Sequence, residues 1–154
     1  MRLYTVFCSC EGSVLKLRLK VYSDGASRGN PGISAIAFMI MTKDGRLLKR
    51  YSKYVGIRTN NQAEYEALIS ALESASELTD QEVACYMDSR LVVKHLNGEY
   101  QVRNSKLKTL WLKVQELEQK FHRITFKSVP RTDPHIKHVD RLANQALDRV
   151  KNNR

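Results

Sequence analysis

The order of the predicted secondary-structure elements is the feature that most restricts the fold of this chain. Three strand patterns follow one another, at residues 14–23, 33–41 and 46–55, before helix and strand patterns begin to alternate. A Lys-Asp-Gly turn signal at 43–45 joins the last two strands, and a turn-rich stretch is expected at 26–32. A three-stranded meander followed by alternating elements predicts one mixed sheet with helices packed on it.

The second half of the chain supplies the remaining elements. Apolar runs at residues 82–87 and 123–129 predict the fourth and fifth strands. Apolar residues at helical spacing predict three long helices and a short one, at residues 61–78, 89–96, 104–121 and 139–150. The expected order is β-β-β-α-β-α-α-β-α in a single α/β domain that spans 1–154, with residues 1–13 as an N-terminal extension.

The charge balance points to a polyanionic partner. The chain has 26 Lys and Arg residues against 16 Asp and Glu residues, a formal net charge of +10. Such an excess suits a phosphate-rich ligand, although a basic surface also keeps a protein soluble. Clustering of the basic residues in one quarter of the chain favours a binding face. The clustered residues are Arg103, Lys106, Lys108, Lys113, Lys120, Arg123 and Lys127.

The sequence shows no pattern of a targeting signal or of a disulfide framework, which favours a reducing environment. No apolar stretch approaches the roughly eighteen residues of a membrane span, and the N-terminus lacks a signal-peptide core, so a cytoplasmic location is expected. Cys8, Cys10 and Cys85 are too few for a disulfide framework. Cys8 and Cys10 have no matching Cys/His pair at zinc-site spacing, and Cys85 is predicted to be a core residue.

Four acidic residues lie at predicted strand ends or helix starts: Asp24, Glu64, Asp88 and Asp140. Each has a purely structural interpretation. Asp24 precedes a glycine, as turn residues do, and Asp88 comes directly before a helix. Glu64 is spaced to complete a capping box with Asn61 as the N-cap, and Asp140 suits the first turn of a helix. No single acid therefore identifies a site.

Taken together, the four acids favour a metal site. If the first and fourth strands are neighbours, Asp24 and Asp88 lie side by side, and two helices bring Glu64 and Asp140 to the same edge. Clustered carboxylates raise one another's pKa unless cations balance their charge. Oxygen ligands suit Mg²⁺, or Mn²⁺ as a substitute, better than Zn²⁺. Two such ions are a known arrangement for phosphodiester hydrolysis.

Four stretches around these acids resemble type 1 ribonucleases H: residues 22–32 (YSDGASRGNPG), 59–65 (TNNQAEY), 87–89 (MDS) and 139–144 (VDRLAN). The resemblance implies hydrolysis of the RNA strand of RNA–DNA hybrids with two Mg²⁺ ions, which leaves 3′-hydroxyl and 5′-phosphate ends. It assigns metal binding and catalysis to the four acids. It also implies a five-stranded mixed sheet of order 3-2-1-4-5 with helices on both faces.

The same resemblance assigns hybrid contacts to residues near the acids. The loop at 29–32 is expected to approach the minor groove, and Asn60 and Asn61 to contact bases and sugars, where the 2′-hydroxyl separates RNA from DNA. Thr59 and Asn104 resemble a phosphate pocket, although Asn104 is equally suited to cap its helix. The predicted contact residues are Gly29, Asn30, Pro31, Gly32, Thr59, Asn60, Asn61, Arg103, Asn104 and Lys106.

The chain departs from many relatives in two places. Residues 97–104 are too few for the basic, tryptophan-rich helical handle, and the only tryptophan, Trp111, is predicted to be core. This pattern resembles the compact subgroup of archaea and some bacteria. Many relatives carry a histidine that assists catalysis in the loop before the last acid, here Asp140. The candidates for this assisting role are Arg131 first and His135 second. His138 is more suited to a structural role.

Other functions fit the sequence less well. Another nuclease of the same superfamily usually lacks the GNPG and TNN stretches together. A hybrid-binding module without catalysis gains nothing from four acids facing a polyanion. An aspartic protease is excluded because neither DGA at 24–26 nor DSR at 88–90 gives the required Asp-Thr/Ser-Gly pattern. The sequence therefore predicts a monomeric, metal-dependent endonuclease with an RNA–DNA hybrid as its partner.

Overall fold

The computed structural model describes residues 17–152. The predicted extension at 1–13, with Cys8 and Cys10, lies outside them. The described part contains five strands and four helices: β1 (Arg18–Gly29), β2 (Gly32–Thr42), β3 (Leu47–Arg58), α1 (Asn60–Ser76), β4 (Glu82–Met87), α2 (Arg90–Leu96), α3 (Ser105–Glu118), β5 (Arg123–Ser128) and α4 (Pro134–Asn152).

The five strands form one mixed sheet of order β3-β2-β1-β4-β5, which confirms the predicted topology. β1, β2 and β3 pair antiparallel, while β4 runs parallel to both β1 and β5. Tyr22 of β1 is in register with Tyr86 of β4. The residues two positions further on, Asp24 within β1 and Asp88 directly after β4, are therefore level with each other.

Helices cover both faces of the sheet, as predicted. On one face, α1, α2 and α3 bury a core that includes Val21, Leu68 and Val114. On the other face, α4 packs Val139 and its neighbours against β1, β2 and β3. β2 lies between these two cores, which explains why residues 34–42 are buried without a break. None of the helices described at residues 17–152 is long and apolar enough to cross a membrane.

The prediction that the first strand ends near Asp24 was wrong. β1 continues to Gly29 and pairs with β2 up to Gly29 and Gly32. The expected turn at 26–32 is thereby reduced to Asn30 and Pro31, which are joined by a cis peptide bond. The ladder to β2 gives the backbone at 24–29 regular partners, and this tertiary pairing overrides the local turn preference of Asp, Gly and Ser residues.

Two helix starts also differ from the prediction. Thr59, not Asn61, is the N-cap of α1, and its capping-box partner is Gln62 rather than Glu64. α4 begins at Pro134, inside the expected loop at 130–137, because Asp133 accepts hydrogen bonds from the backbone N–H groups of the next turn. Asp140 consequently lies in the second turn of α4. Glu64 is therefore not part of a capping box, and Asp140 does not lie in the first turn of its helix. The structural explanations offered for these two acids no longer apply.

Several other local predictions are confirmed. Ser89 caps α2 and Asn104 caps α3, each accepting a backbone hydrogen bond three residues on. Cys85 is buried in the core. Trp111 packs partly buried against the same core, and its indole N–H donates to the carbonyl of His95. Residues 97–104 form a short connection between α2 and α3, so the chain has no helical handle at this position.

Candidate active site

Three of the four predicted acids meet at one end of the sheet. Asp24 on β1, Glu64 on α1 and Asp88 after β4 each offer a carboxylate oxygen, and these oxygens lie within 4.8 Å of one another. Asp24 and Glu64 are only 5% and 8% exposed. Such a set of hard oxygen donors fits a magnesium or manganese ion.

Glu64 faces this cluster because α1 crosses β1 at very short range. The backbone N–H of Gly25 donates a 2.6 Å hydrogen bond to Oε1 of Glu64. A Cβ atom at position 25 would lie 2.3 Å from the carbonyl carbon of Ala63, so only glycine allows this approach. With the cap of α1 supplied by Thr59, the Glu64 side chain is free to turn toward Asp24.

Asp140 lies near the cluster but outside the group of three. It is half-buried on α4, where the Asn144 amide donates to both its backbone carbonyl and its carboxylate. Its negative charge contributes to raising the pKa of Asp24. The structure therefore brings three predicted ligands into direct proximity and places the fourth within electrostatic range.

Burial is the main reason why the pKa values of Asp24 and Glu64 are raised. Burial raises the pKa of Asp24 well above its usual range, and the charges of Glu64, Asp88 and Asp140 raise it further. Burial also raises the pKa of Glu64, although the Gly25 N–H and the Arg131 charge oppose that rise. The interaction between the two carboxyl groups raises the pKa of Asp24 and lowers that of Glu64. A divalent cation can take the place of protons in such a cluster.

Arg131 is the basic residue that contacts the cluster. Its Nε donates to Oδ2 of Asp88 at 3.0 Å, while 83% of its side chain remains exposed. The ring of His135, the second candidate, packs against Tyr22 with centroids 4.6 Å apart. Among the described residues, the structure brings Arg131 and not the His135 ring into hydrogen-bond contact with an acid.

The acids open into a shallow pocket of about 210 Å³. Asn60 and Asn61, to which the family resemblance assigns base and sugar contacts, line this pocket. The backbone N–H of Asn60 also donates to Oδ1 of Asn30, which ties the β1–β2 turn to the start of α1. Ser89 lines the same pocket. Sequence reasoning gave Ser89 only a capping role, although its position next to Asp88 was a signal that it faces the site.

The predicted phosphate-pocket residues both serve as helix caps. Oγ1 of Thr59 accepts from the Gln62 N–H, and Oδ1 of Asn104 accepts from the Leu107 N–H. The capping alternative for Asn104 is thus confirmed. Arg103 and Lys106 are exposed beside this cap, and Gly29 and Pro31 are exposed at the tip of the β1–β2 hairpin.

Known proteins similar to this chain include curated sequences from an archaeon and a bacterium. The family profile described as reverse transcriptase-like matches residues 22–146, which include all four acids. Ribonuclease HI of Halobacterium salinarum is 38% identical over 131 residues, which are 85% of this chain and 65% of that protein. The bifunctional protein Rv2228c of Mycobacterium tuberculosis is 38% identical over 133 residues, 86% of this chain and 36% of that protein. The chain therefore spans only part of these relatives.

Solved structures share the fold as well. The crystal structure of RNase H1 from Halobacterium salinarum matches with a TM-score of 0.81 at 39% identity, and the match covers 85% of this chain and 98% of that one. LC11-RNase H1, crystallised in complex with an RNA/DNA hybrid, matches with a TM-score of 0.81 at 36% identity, covering 86% and 99%.

The raised pKa of Asp24 predicts that Asp24→Asn stabilises the metal-free protein. A carboxyl group whose pKa is raised in the folded state stabilises the fold fully only at pH values below its unfolded-state pKa of about 3.9. This contribution to the free energy of unfolding is lost as the pH rises toward the folded-state pKa. In EDTA, the variant should therefore melt at a higher temperature than the natural protein near neutral pH, by about 2–4 °C for each kcal/mol. Mg²⁺ should stabilise the natural protein and not the variant.

Thermal unfolding between about pH 5 and pH 8, with EDTA or with Mg²⁺, measures both effects. Asp80→Asn, at an exposed position remote from the pocket lining, is the matched control and should change neither. An Asp24→Asn protein that melts below the natural protein throughout, and that Mg²⁺ still stabilises, would contradict this description of the cluster.

Proposed function

Because the chain belongs to the type 1 ribonuclease H family, we propose that it is an endonuclease that hydrolyses the RNA strand of RNA–DNA hybrids. The observation that carries this proposal is the convergence of Asp24, Glu64 and Asp88 in a pocket bordered by Asn60 and Asn61. The complex of the similar LC11-RNase H1 with an RNA/DNA hybrid supports the choice of substrate.

The residues present fit divalent metal ions. Asp24 is the most central of the four acids, because it lies beside Glu64 and the charges of both Asp88 and Asp140 act on it. Asp24 would be a ligand of both ions, and Glu64, Asp88 and Asp140 would supply the remaining protein ligands. When bound, such a pair of Mg²⁺ ions activates a water molecule and stabilises the leaving oxygen. The products would carry 3′-hydroxyl and 5′-phosphate ends.

Arg131 has a distinct part in the proposed site. Its guanidinium neutralises part of the charge on Asp88, and its positive charge also acts on Glu64. Because most of the side chain is exposed, the same group can approach a phosphate of the substrate. Arginine stays protonated at working pH, so it acts by charge and hydrogen bonding and not as a proton carrier.

The hybrid would be held by surfaces on both sides of the acids. Asn30, Asn60 and Asn61 form a polar rim whose parts are linked by the Asn60–Asn30 hydrogen bond. Arg103 and Lys106 at the start of α3 are exposed and available to phosphates. Since residues 97–104 form no helical handle, the polar rim, the two basic residues and the net charge of +10 would hold the hybrid. Binding should therefore weaken steeply as salt rises.

The first functional prediction is that Mg²⁺ triggers cleavage of the RNA strand in a hybrid and leaves a DNA duplex intact. Asp24→Asn should abolish cleavage because it removes the central ligand, and it should retain hybrid binding because it adds no negative charge. Gel analysis of labelled strands measures cleavage, and fluorescence anisotropy in EDTA measures binding.

Three outcomes separate the alternatives. Undiminished cleavage by Asp24→Asn would contradict the site assignment. Cleavage of duplex DNA in preference to hybrid would indicate another nuclease of the superfamily. Hybrid binding without cleavage in Mg²⁺ or Mn²⁺ by the natural protein would indicate a binding module.

The second functional prediction compares the two candidates in the loop before α4. Arg131→Gln should lower kcat by about tenfold or more, the order expected when one charge-assisted hydrogen bond is lost at a reacting site. His135→Gln should have a smaller effect on kcat, because its ring packs on Tyr22. Steady-state kinetics with one hybrid substrate measures both, and Arg131→Lys tests whether charge alone suffices. A larger loss in His135→Gln would reverse the assignment.

A further inference from the structure

A second concave site lies on the opposite flank of α4 from the acids. It is a groove of about 470 Å³ between β3 and α4, near the β3 edge of the sheet. Its polar lining comes from two β3 residues and four α4 residues: Arg50, Ser52, His138, Arg141, Gln145 and Arg149. We call this the β3–α4 groove. No acidic residue lines it in the part of the chain that the structure describes.

The two flanks of α4 have opposite chemical character. Asp140, Asn144 and Asp148 recur every fourth residue on one flank, where Asn144 and Asp148 accept hydrogen bonds from Arg28. His138, Leu142, Gln145 and Arg149 follow the helical repeat on the other flank and line the groove. The groove is thus separated from the acidic pocket by the width of the helix.

The arginines of the groove have no carboxylate partners within residues 17–152. Other arginines of the sheet are paired, for example Arg58 with Glu66 and Arg28 with Asp148. Arg50, Arg141 and Arg149 form no such ion pair within the same residues, although they share one groove. Three like charges in one concavity repel one another, and an anion would remove that repulsion.

His138 supplies the second observation. Nη1 of Arg141 lies 3.5 Å from Nδ1 of His138. Because a guanidinium can only donate, Nδ1 is the acceptor. The other ring nitrogen of His138, Nε2, is buried and has no hydrogen-bond partner among the described residues.

The chemistry of the groove selects one class of ligand. Guanidinium groups form bidentate hydrogen bonds with phosphate oxygens, and the groove contains donors but no carboxylate to hold a cation. Ser52 and Gln145 add neutral polar groups beside the arginines. We propose that the β3–α4 groove is an anion site that takes a phosphate group, separate from the acidic pocket and independent of metal ions.

Pyrophosphate is the probe that tests this site, by isothermal titration calorimetry at low ionic strength in EDTA. The natural protein should bind it, and Arg50→Gln/Arg149→Gln should raise the Kd by about tenfold or more, the order expected for lost charge-assisted hydrogen bonds. The matched control is Lys49→Gln/Lys53→Gln, which removes two exposed charges of the same strand, β3, at positions that do not line the groove. The control should change the Kd by less than about twofold.

Competition then identifies the source of the phosphate. A 5′-phosphorylated RNA oligonucleotide that displaces pyrophosphate, when its 5′-hydroxyl counterpart does not, assigns the groove to a strand end. Displacement by a nucleoside diphosphate but by neither strand assigns it to a small phosphorylated molecule. Absence of pyrophosphate binding, or equal weakening in both double variants, overturns the proposal. These measurements need no cleavage, so they stand apart from the proposed nuclease activity.

Discussion

The close contact between α1 and β1 is the constraint on which the acidic site depends. Gly25 lets the Ala63–Glu64 backbone approach to a distance that no other residue permits, and its N–H holds Glu64 by a 2.6 Å hydrogen bond. The parallel pairing of β1 with β4 then sets Asp88 level with Asp24. One short contact and one strand register therefore bring together three acids from distant parts of the sequence.

This arrangement opposes the stability of the metal-free fold. Buried, clustered carboxylates raise one another's pKa, so the folded protein holds a proton that the unfolded chain releases. Arg131 offsets part of the repulsion through Asp88 but is largely exposed. A divalent cation bound by these acids would offset that electrostatic cost. The β3–α4 groove has the opposite imbalance, because its arginines have no carboxylate partners among the described residues.

Apolar periodicity predicted the approximate place of every element, because it reports burial directly, whereas the sheet order followed from the family resemblance. The sequence also pointed to the four acids, although each had a structural alternative. Two of those alternatives disappeared only when tertiary contacts were known: Thr59 caps α1 in place of Asn61, and Pro134 begins α4 ahead of Asp140. The extension of β1 depends on its ladder with β2, and the β3–α4 groove joins residues far apart in sequence. Local patterns carry no signal for either.

We propose that Asp24, Glu64, Asp88 and Asp140 hold a pair of divalent ions on which the chemistry depends. Anomalous scattering from crystals of the protein with Mn²⁺ and an RNA–DNA hybrid tests this proposal. We expect two manganese peaks in the acidic pocket, both in contact with Asp24. Peaks that avoid Asp24, or no peak at the acidic pocket in a crystal that contains bound hybrid, would contradict the proposal.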